Sequence, residues 1–377
     1  MATTTTGREK VNVPFPLQAL SAEPPVSVLI SNYNYADFVG EAIESVLGQS
    51  YRNLEVVVCD DGSTDGSAQV IKRYAGLDAR VKPIFKENGG QASGFNAAYA
   101  ASSGEIVCLL DADDLYAPEK IATAVSRLRA GNHGIFLHRL LWMGRDGMPL
   151  PWHTPHAPLR EGWIGEDVAA SGKGTWCPEP TTAMSFRREV ADLVFPIPES
   201  MRICADAFLF TMLLLVTPIV VSDERLGRYR IHGSNSWYRD VRTKEIVSQD
   251  RERLLMINEE INLRLEELGI HDLRFDADRS VTFHLQGLSI ELLEGRSRPH
   301  LLRSYARSVR RLLQGNDFSR RRRGKLEIAF VYAVAIVLPA RYRQWWLSRA
   351  RGWMAVASRQ VVARLRAAGR RPKSRSR

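Results

Sequence analysis

Leu109-Leu110-Asp111-Ala112-Asp113-Asp114 is an apolar strand that runs straight into three carboxylates. A buried strand with clustered acids at its tip is costly to fold unless a cation sits there, and a divalent metal is the usual remedy. Mg²⁺ or Mn²⁺ held by few protein carboxylates fills its remaining positions from water and a substrate diphosphate. The cluster therefore points to chemistry on a nucleoside diphosphate. It is equally compatible with an acidic loop capping the helix after Pro118, because Asp favours turns and helix N-termini.

Working outward, β and α signals alternate from Val26 to about Arg129. Val26–Ser31, Leu54–Cys59, Val81–Lys86 and Glu105–Leu110 are short apolar runs. Between them, Ala36–Gly48, the stretch through Ala68, Ile71 and Tyr74, and Gln91–Ser102 have helical spacing, and Pro118 opens a fourth helix. Continuous apolar strands linked by helices predict an α/β fold with a mostly parallel sheet covered on both faces. Ligands of such sheets bind beyond the carboxyl ends of the strands, where Ser31–Tyr33, Asp60–Ser63 and Asp111–Asp114 all fall. From about Gly131 to Thr181 the pattern breaks into Gly, Pro, His and Trp, including Trp142, Trp152, Trp163 and Trp176, and reads as binding loops or packing plugs. Thr182–Phe186 and Leu226–Ile231 read as strands, Ala207–Val216 as an apolar helix, and Lys244 to about Gln314 as helices.

The net charge of +10 is a property of the tail. Residues 318–377 hold 17 Lys and Arg against the single acid Glu327, a net of +16, which leaves −6 for the rest of the 377 residues. Nucleic-acid binding is therefore not expected from the charge. The four cysteines show no paired spacing, which suits a reducing, cytoplasmic setting. Met1–Pro25 lacks an apolar signal segment and reads as a disordered leader. Leu326–Leu338 is too short for a confident membrane span. With Arg341, Arg343, Trp345, Trp346, Arg349, Arg351 and Trp353 it suits a helix lying on an anionic membrane face. A docked helix with a solvated basic tail, or RNA binding, are the alternatives. The expected organisation is a leader over 1–25, a domain over 26–240, a helical extension over 241–314 and a membrane-associating tail over 315–377.

The strings V-S-V-L-I-S-N-Y-N-Y (26–35), L-E-V-V-V-C-D-D-G-S-T-D-G-S (54–67), N-G-G-Q-A-S-G-F-N-A-A (88–98) and L-L-D-A-D-D (109–114) together resemble the family 2 inverting glycosyltransferases, which have the GT-A fold. The resemblance runs from about Val26 to Asn235. It implies that Ser31 and Tyr33 contact the nucleotide and that Asp61 reads the base through uracil N3–H. Asp60 shares that task or caps the turn at Gly62. Asn88, Gly90 and Asn96 would line the donor site. Asp111 and Asp113 match the family's D-x-D pair, with Asp114 following; Asp113 or Asp114 is the expected direct ligand of Mn²⁺ or Mg²⁺. The acid before an apolar helix, Asp206 in Cys204-Ala205-Asp206-Ala207-Phe208, would be the catalytic base. In the late segment beginning Tyr229-Arg230-Ile231-His232, Arg230 and His232 are candidates for the diphosphate, and His232 for the metal. The Q-x-x-R-W signature of processive synthases is absent.

The resemblance implies metal-dependent, inverting transfer of one sugar from a nucleotide-sugar donor, expected to be a UDP-sugar. The acceptor would be a hydroxyl of a cell-surface glycan or lipid-linked oligosaccharide, met on the inner face of the cell membrane through the basic tail. A polyprenyl-phosphate glycosyltransferase is the chief rival; its phosphate acceptor needs little help from a base, and Asp206 argues against it. A non-catalytic nucleotide- or glycan-binding protein of the same fold should lack the acids, and all are present.

Overall fold

The computed structural model describes residues 12–154, 160–172, 180–232, 243–314 and 322–347. The strands β1 (Val26–Asn32), β2 (Leu54–Asp61), β3 (Val81–Lys86) and β4 (Ile106–Asp111) alternate with helices α1 (Val39–Leu47), α2 (Ser67–Leu77) and α3 (Gln91–Ala100). β1 pairs in parallel with both β2 and β4, and β2 with β3, as the apolar runs predict. The register sets Ser31 level with Cys59 and Asp111, and Asn32 level with Asp60. The three polar tips therefore share one sheet edge. Alternate residues of the strands point into two apolar layers, with Leu29, Val57 and Leu109 on one side and Ile30, Val58 and Leu110 on the other.

The chain continues through β5 (Leu115–Tyr116), α4 (Lys120–Arg129), β6 (Ile135–Gly144), β7 (Pro149–Thr154), α5 (Gly165–Ala170), β8 (Met184–Arg187), α6 (Arg188–Val194), α7 (Ala205–Val216) and β9 (Ile219–Ile231). The sheet order is β3-β2-β1-β4-β8-β6-β9-β5, with β7 on β6. β8 is antiparallel to both β4 and β6, while β6 and β9 are parallel, so the second half of the sheet is mixed.

Three expectations change here. The stretch from 131 to 181 contains β6, a ten-residue strand inside the sheet, and the helix α5. Thr181–Ala183 is one turn of 3₁₀ helix, and the predicted strand begins only at Met184. From residue 12 the leader is laid down on the sheet domain: Val13, Phe15 and Leu17 pack on one core layer, and Phe15 N–H donates to Val216 C=O at 2.6 Å. Residues 1–11, Trp176 and Cys177, 233–239 of the late segment and the Arg-rich end beyond 347, for which the sequence raises expectations, lie outside the described residues. Among the described residues Cys59 and Cys108 are buried free thiols.

The chain forms two compact units: residues 1–238 with 254–279, and residues 239–253 with 280–377. This differs from boundaries at 240 and 314. The second half of α8 (Lys244–Glu267) belongs to the first unit, where Ile257, Ile261 and Leu265 join its core. The second unit is built from α9 (Val281–Leu293), α10 (Arg298–Gln314) and α11 (Arg322–Val337), with residues 340–347 helical as well.

Candidate active site

At the shared edge, the tip of β4 and the start of α7 bring Asp111 and Asp206 within electrostatic reach of each other, and the nearby Thr181 hydroxyl favours the charged form of both carboxyl groups. Burial, then the charges of Asp113 and Asp206, push the Asp111 carboxyl well above the ordinary carboxylate range. Burial also raises Asp206, against hydrogen bonds from the first turn of α7 and from Thr181. Burial, and after it the charges of Asp111, Asp113 and Asp114, raise the phenols of Tyr35 and Tyr229, both of which stand near the cluster. Close carboxylates in a dry site hold protons that a cation would displace.

The three acids after Leu110 divide by their partners. Asp114 is fully buried; its Oδ1 accepts from Arg230 N–H at 2.8 Å and its Oδ2 from Thr182 Oγ1 at 2.5 Å. Both oxygens tie the fold, which favours Asp113 over Asp114 as the direct ligand. Asp113 Oδ2 stands 2.8 Å from His232 Nε2, and the imidazole packs between Tyr35 and Phe38. A carboxylate and an imidazole brought together in this way would hold one small divalent cation in place of their mutual hydrogen bond. Among the described residues no three His, Cys, Asp or Glu side chains form a protein-only metal cage. A hard cation bridging a diphosphate needs only one or two protein ligands, which Asp113 and His232, with Asp111 nearby, can supply.

Several residues expected at the donor prove to tie the backbone. Arg230 is buried, with Nε donating to Asp113 C=O at 2.8 Å, Nη1 to Arg145 C=O at 2.9 Å and Nη2 to Glu41 Oε2 at 2.6 Å. Its guanidinium clamps the acidic loop, in place of the expected diphosphate contact. Asn96 pairs with Ile197 through both amide atoms, each at 2.8 Å, which gives its side chain a structural task. Gly90 has φ +92° and caps α3; a Cβ there would stand 2.6 Å from Arg202 Cα, so the glycine admits another stretch of chain and not a ligand. The Asp61 carboxylate is buried and accepts from Lys86 Nζ at 2.8 Å, Gly89 N–H at 2.9 Å and Gly90 N–H at 2.6 Å. It anchors the turn into α3, and reading a base would fall to its one remaining acceptor position on Oδ2. Asp60 accepts from Asn32 Nδ2 at 2.8 Å and from Ser63 Oγ, which favours the turn-capping reading. Asn88 bridges Asp61 C=O and Arg202 Nη2. Ser31 lies at the tip of β1 beneath Gly94 of α3, and Tyr33 just beyond it is 47% exposed, a ring available for stacking.

Sequence reasoning missed Thr181, Thr182 and the cation Arg202. The two threonines carry no motif of their own; only the pairing of β8 against β4 brings them under the acids. Asn96→Ala is expected to lower stability by about 2 kcal/mol through its two lost hydrogen bonds, leaving nucleotide affinity unchanged. Urea unfolding and calorimetry check the two halves separately.

The edge thus combines a mixed sheet with a parallel first half, an acidic strand tip and an acid at the start of a facing helix. Residues 27–195 match the model of "Glycosyl transferase family 2". An uncharacterised glycosyltransferase of Nostoc sp. (strain PCC 7120) is 34% identical over 261 residues, 68% of this chain and 80% of that protein. The chain belongs to glycosyltransferase family 2. Chondroitin synthase of Pasteurella multocida is 40% identical over 98 residues, 26% of this chain but only 10% of that protein. Residues 1–349 of TarS from S. aureus, solved in complex with UDP-GlcNAc, share the fold at a TM-score of 0.52, 18% identity and coverage of 87% of this chain and 92% of that one.

Proposed function

We propose that this glycosyltransferase transfers a single sugar, with inversion, from a UDP-sugar to a hydroxyl acceptor in cell-surface glycan or lipid-linked oligosaccharide synthesis, using Mn²⁺ or Mg²⁺. The observation that carries the reading is the convergence of Asp111, Asp113 and Asp206 at one edge, with Thr181 between the first and the last. Asp113 with His232 would hold the divalent cation. When bound, that cation offsets charge on the departing nucleoside diphosphate. Asp206 takes the acceptor proton as the acceptor oxygen attacks the anomeric carbon and the bond to the diphosphate breaks. A base with a raised pKa holds that proton better near neutral pH. The solved TarS complex with UDP-GlcNAc supports a uridine donor, and Tyr33 offers a face for the base. The acceptor is proposed to be met at the inner face of the cell membrane.

The test is UDP release from a panel of UDP-sugars with a crude glycolipid acceptor, with Mn²⁺ or with EDTA. Release that needs acceptor, one sugar and the metal supports the reading, and an anomerically inverted product completes it. Release that persists in EDTA contradicts the metal assignment.

The raised acids predict a pH effect on the metal-free protein. A carboxyl whose folded pKa exceeds its unfolded value of about 3.9 adds stability that is full below that value. That stability is lost as pH rises through the folded pKa, here for Asp111, Asp114 and Asp206. The thermal midpoint without metal should therefore fall from an acidic to a mildly alkaline pH, and Mn²⁺ with UDP should raise it more at the upper end. Differential scanning calorimetry at the two pH values reads both changes.

A further inference from the structure

The second unit exposes an apolar face where a water-facing helix would carry charge. On α11, Ile328, Val331, Ala335 and Ile336 are buried against α9 and α10. The opposite side is apolar too: Leu326, Phe330 and Val337 are 55%, 65% and 65% exposed, and their spacing puts them in one stripe. A helix that is apolar all round belongs in a protein core or in lipid. The stripe continues into residues 340–347, where Tyr342 and Trp345 are exposed while Arg343 and Leu347 turn inward. Tyr332 Oη bonds Ser289 Oγ at 2.8 Å and Trp346 Nε1 donates to Val331 C=O at 2.9 Å, so this face is fixed in place.

Charge selects the occupant. Residues 280–377 hold 23 Lys and Arg against four Asp and Glu, a net of +19, and α10 presents Arg303, Arg307 and Arg310 to solvent. A second copy of this chain would bring a like charge to the same face. Nucleic acid would answer the charge but leave the apolar stripe in water. No helix among the described residues is long and apolar enough to cross a membrane, so the stripe suits a helix lying in the bilayer surface. Exposed Trp and Tyr beside Arg are the side chains that settle at the headgroup level of an anionic leaflet.

We propose that the outer face of α11, with Tyr342 and Trp345, docks on an anionic lipid leaflet. This rests on the reading of a membrane-side acceptor, to which it would bring the enzyme. The test is co-sedimentation of the full chain with phosphatidylcholine vesicles, with and without about 30% phosphatidylglycerol, at low and raised salt. UDP binding is measured on the same samples. Wild type should bind the anionic vesicles at least about tenfold more tightly than the neutral ones and weaken with salt. Phe330→Asn combined with Trp345→Ala should lose about tenfold or more of that binding with UDP affinity unchanged. Quenching of tryptophan fluorescence by brominated lipid provides a second readout that needs no variant. Equal binding to both vesicle types, an unaffected double variant, absent quenching, or a wild-type dimer that the variant makes monomeric each overturns the proposal. Vesicle binding without UDP binding would leave this surface standing and sink the donor-site reading instead.

Discussion

Asp206→Asn is expected to lower kcat by about 10²–10⁴-fold while leaving UDP and Mn²⁺ affinity unchanged. The amide keeps the shape of the side chain at the start of α7 but cannot take the acceptor proton. Asp206 acts on the donor side of the site through its charge, on Asp111 and on Tyr229. Binding should therefore survive where turnover does not. Wild-type kcat/KM should also fall on the acid side of its pH profile, with a midpoint above the ordinary carboxylate range, because burial raises Asp206 and only its ionised form accepts a proton. Steady-state kinetics on the two proteins check this. A variant that loses nucleotide binding together with turnover would place Asp206 in the donor site and not at the acceptor.

The second large effect separates neighbouring acids. Asp113→Ala removes the carboxylate that stands against His232, and activity should drop by about 10³-fold or more, with a stability change below about 1 kcal/mol. Asp114→Ala should act in the opposite way. Thr182 and the Arg230 backbone would lose a buried acceptor, at a cost of about 2–4 kcal/mol of stability. Loss of activity there should follow loss of fold. Thermal melts and assays run side by side distinguish the two. Metal-dependent activity that persists in Asp113→Ala would move the cation to Asp111.

Much of this was legible before any coordinates. Continuous apolar runs such as Val26–Asn32 and Ile106–Asp111 can be buried on both faces only in a parallel sheet, and that alone places the polar tips together. The second half resisted because its pairing is non-local. Ile135–Gly144 contains His138 and Arg139 amid Gly- and Trp-rich sequence, and its partners β8 and β9 lie about 50 and 85 residues downstream. The leader hid for a similar reason: its apolar residues 13, 15 and 17 have no periodic neighbours and acquire meaning only against a core built elsewhere.

Within the site, residue type did not distinguish a ligand contact from a backbone tie. Asn96, Gly90 and Arg230 have the chemistry of a donor pocket, yet each answers a demand of the chain itself: an orphan peptide at Ile197, a close approach by Arg202, and carbonyls of the acidic loop. The acids were easier to read, since charge this dense inside a protein is costly without chemistry to offset it. Thr181 stood outside reach because a lone threonine at the foot of a short strand has many ordinary uses.

The most direct measurement is calorimetry of UDP binding, with and without Mn²⁺, on the wild type and on Asp113→Ala. Binding by the wild type should need Mn²⁺, and Asp113→Ala should lose that metal-dependent part with the fold intact. UDP binding of equal strength with and without Mn²⁺, or unchanged in Asp113→Ala, would contradict it.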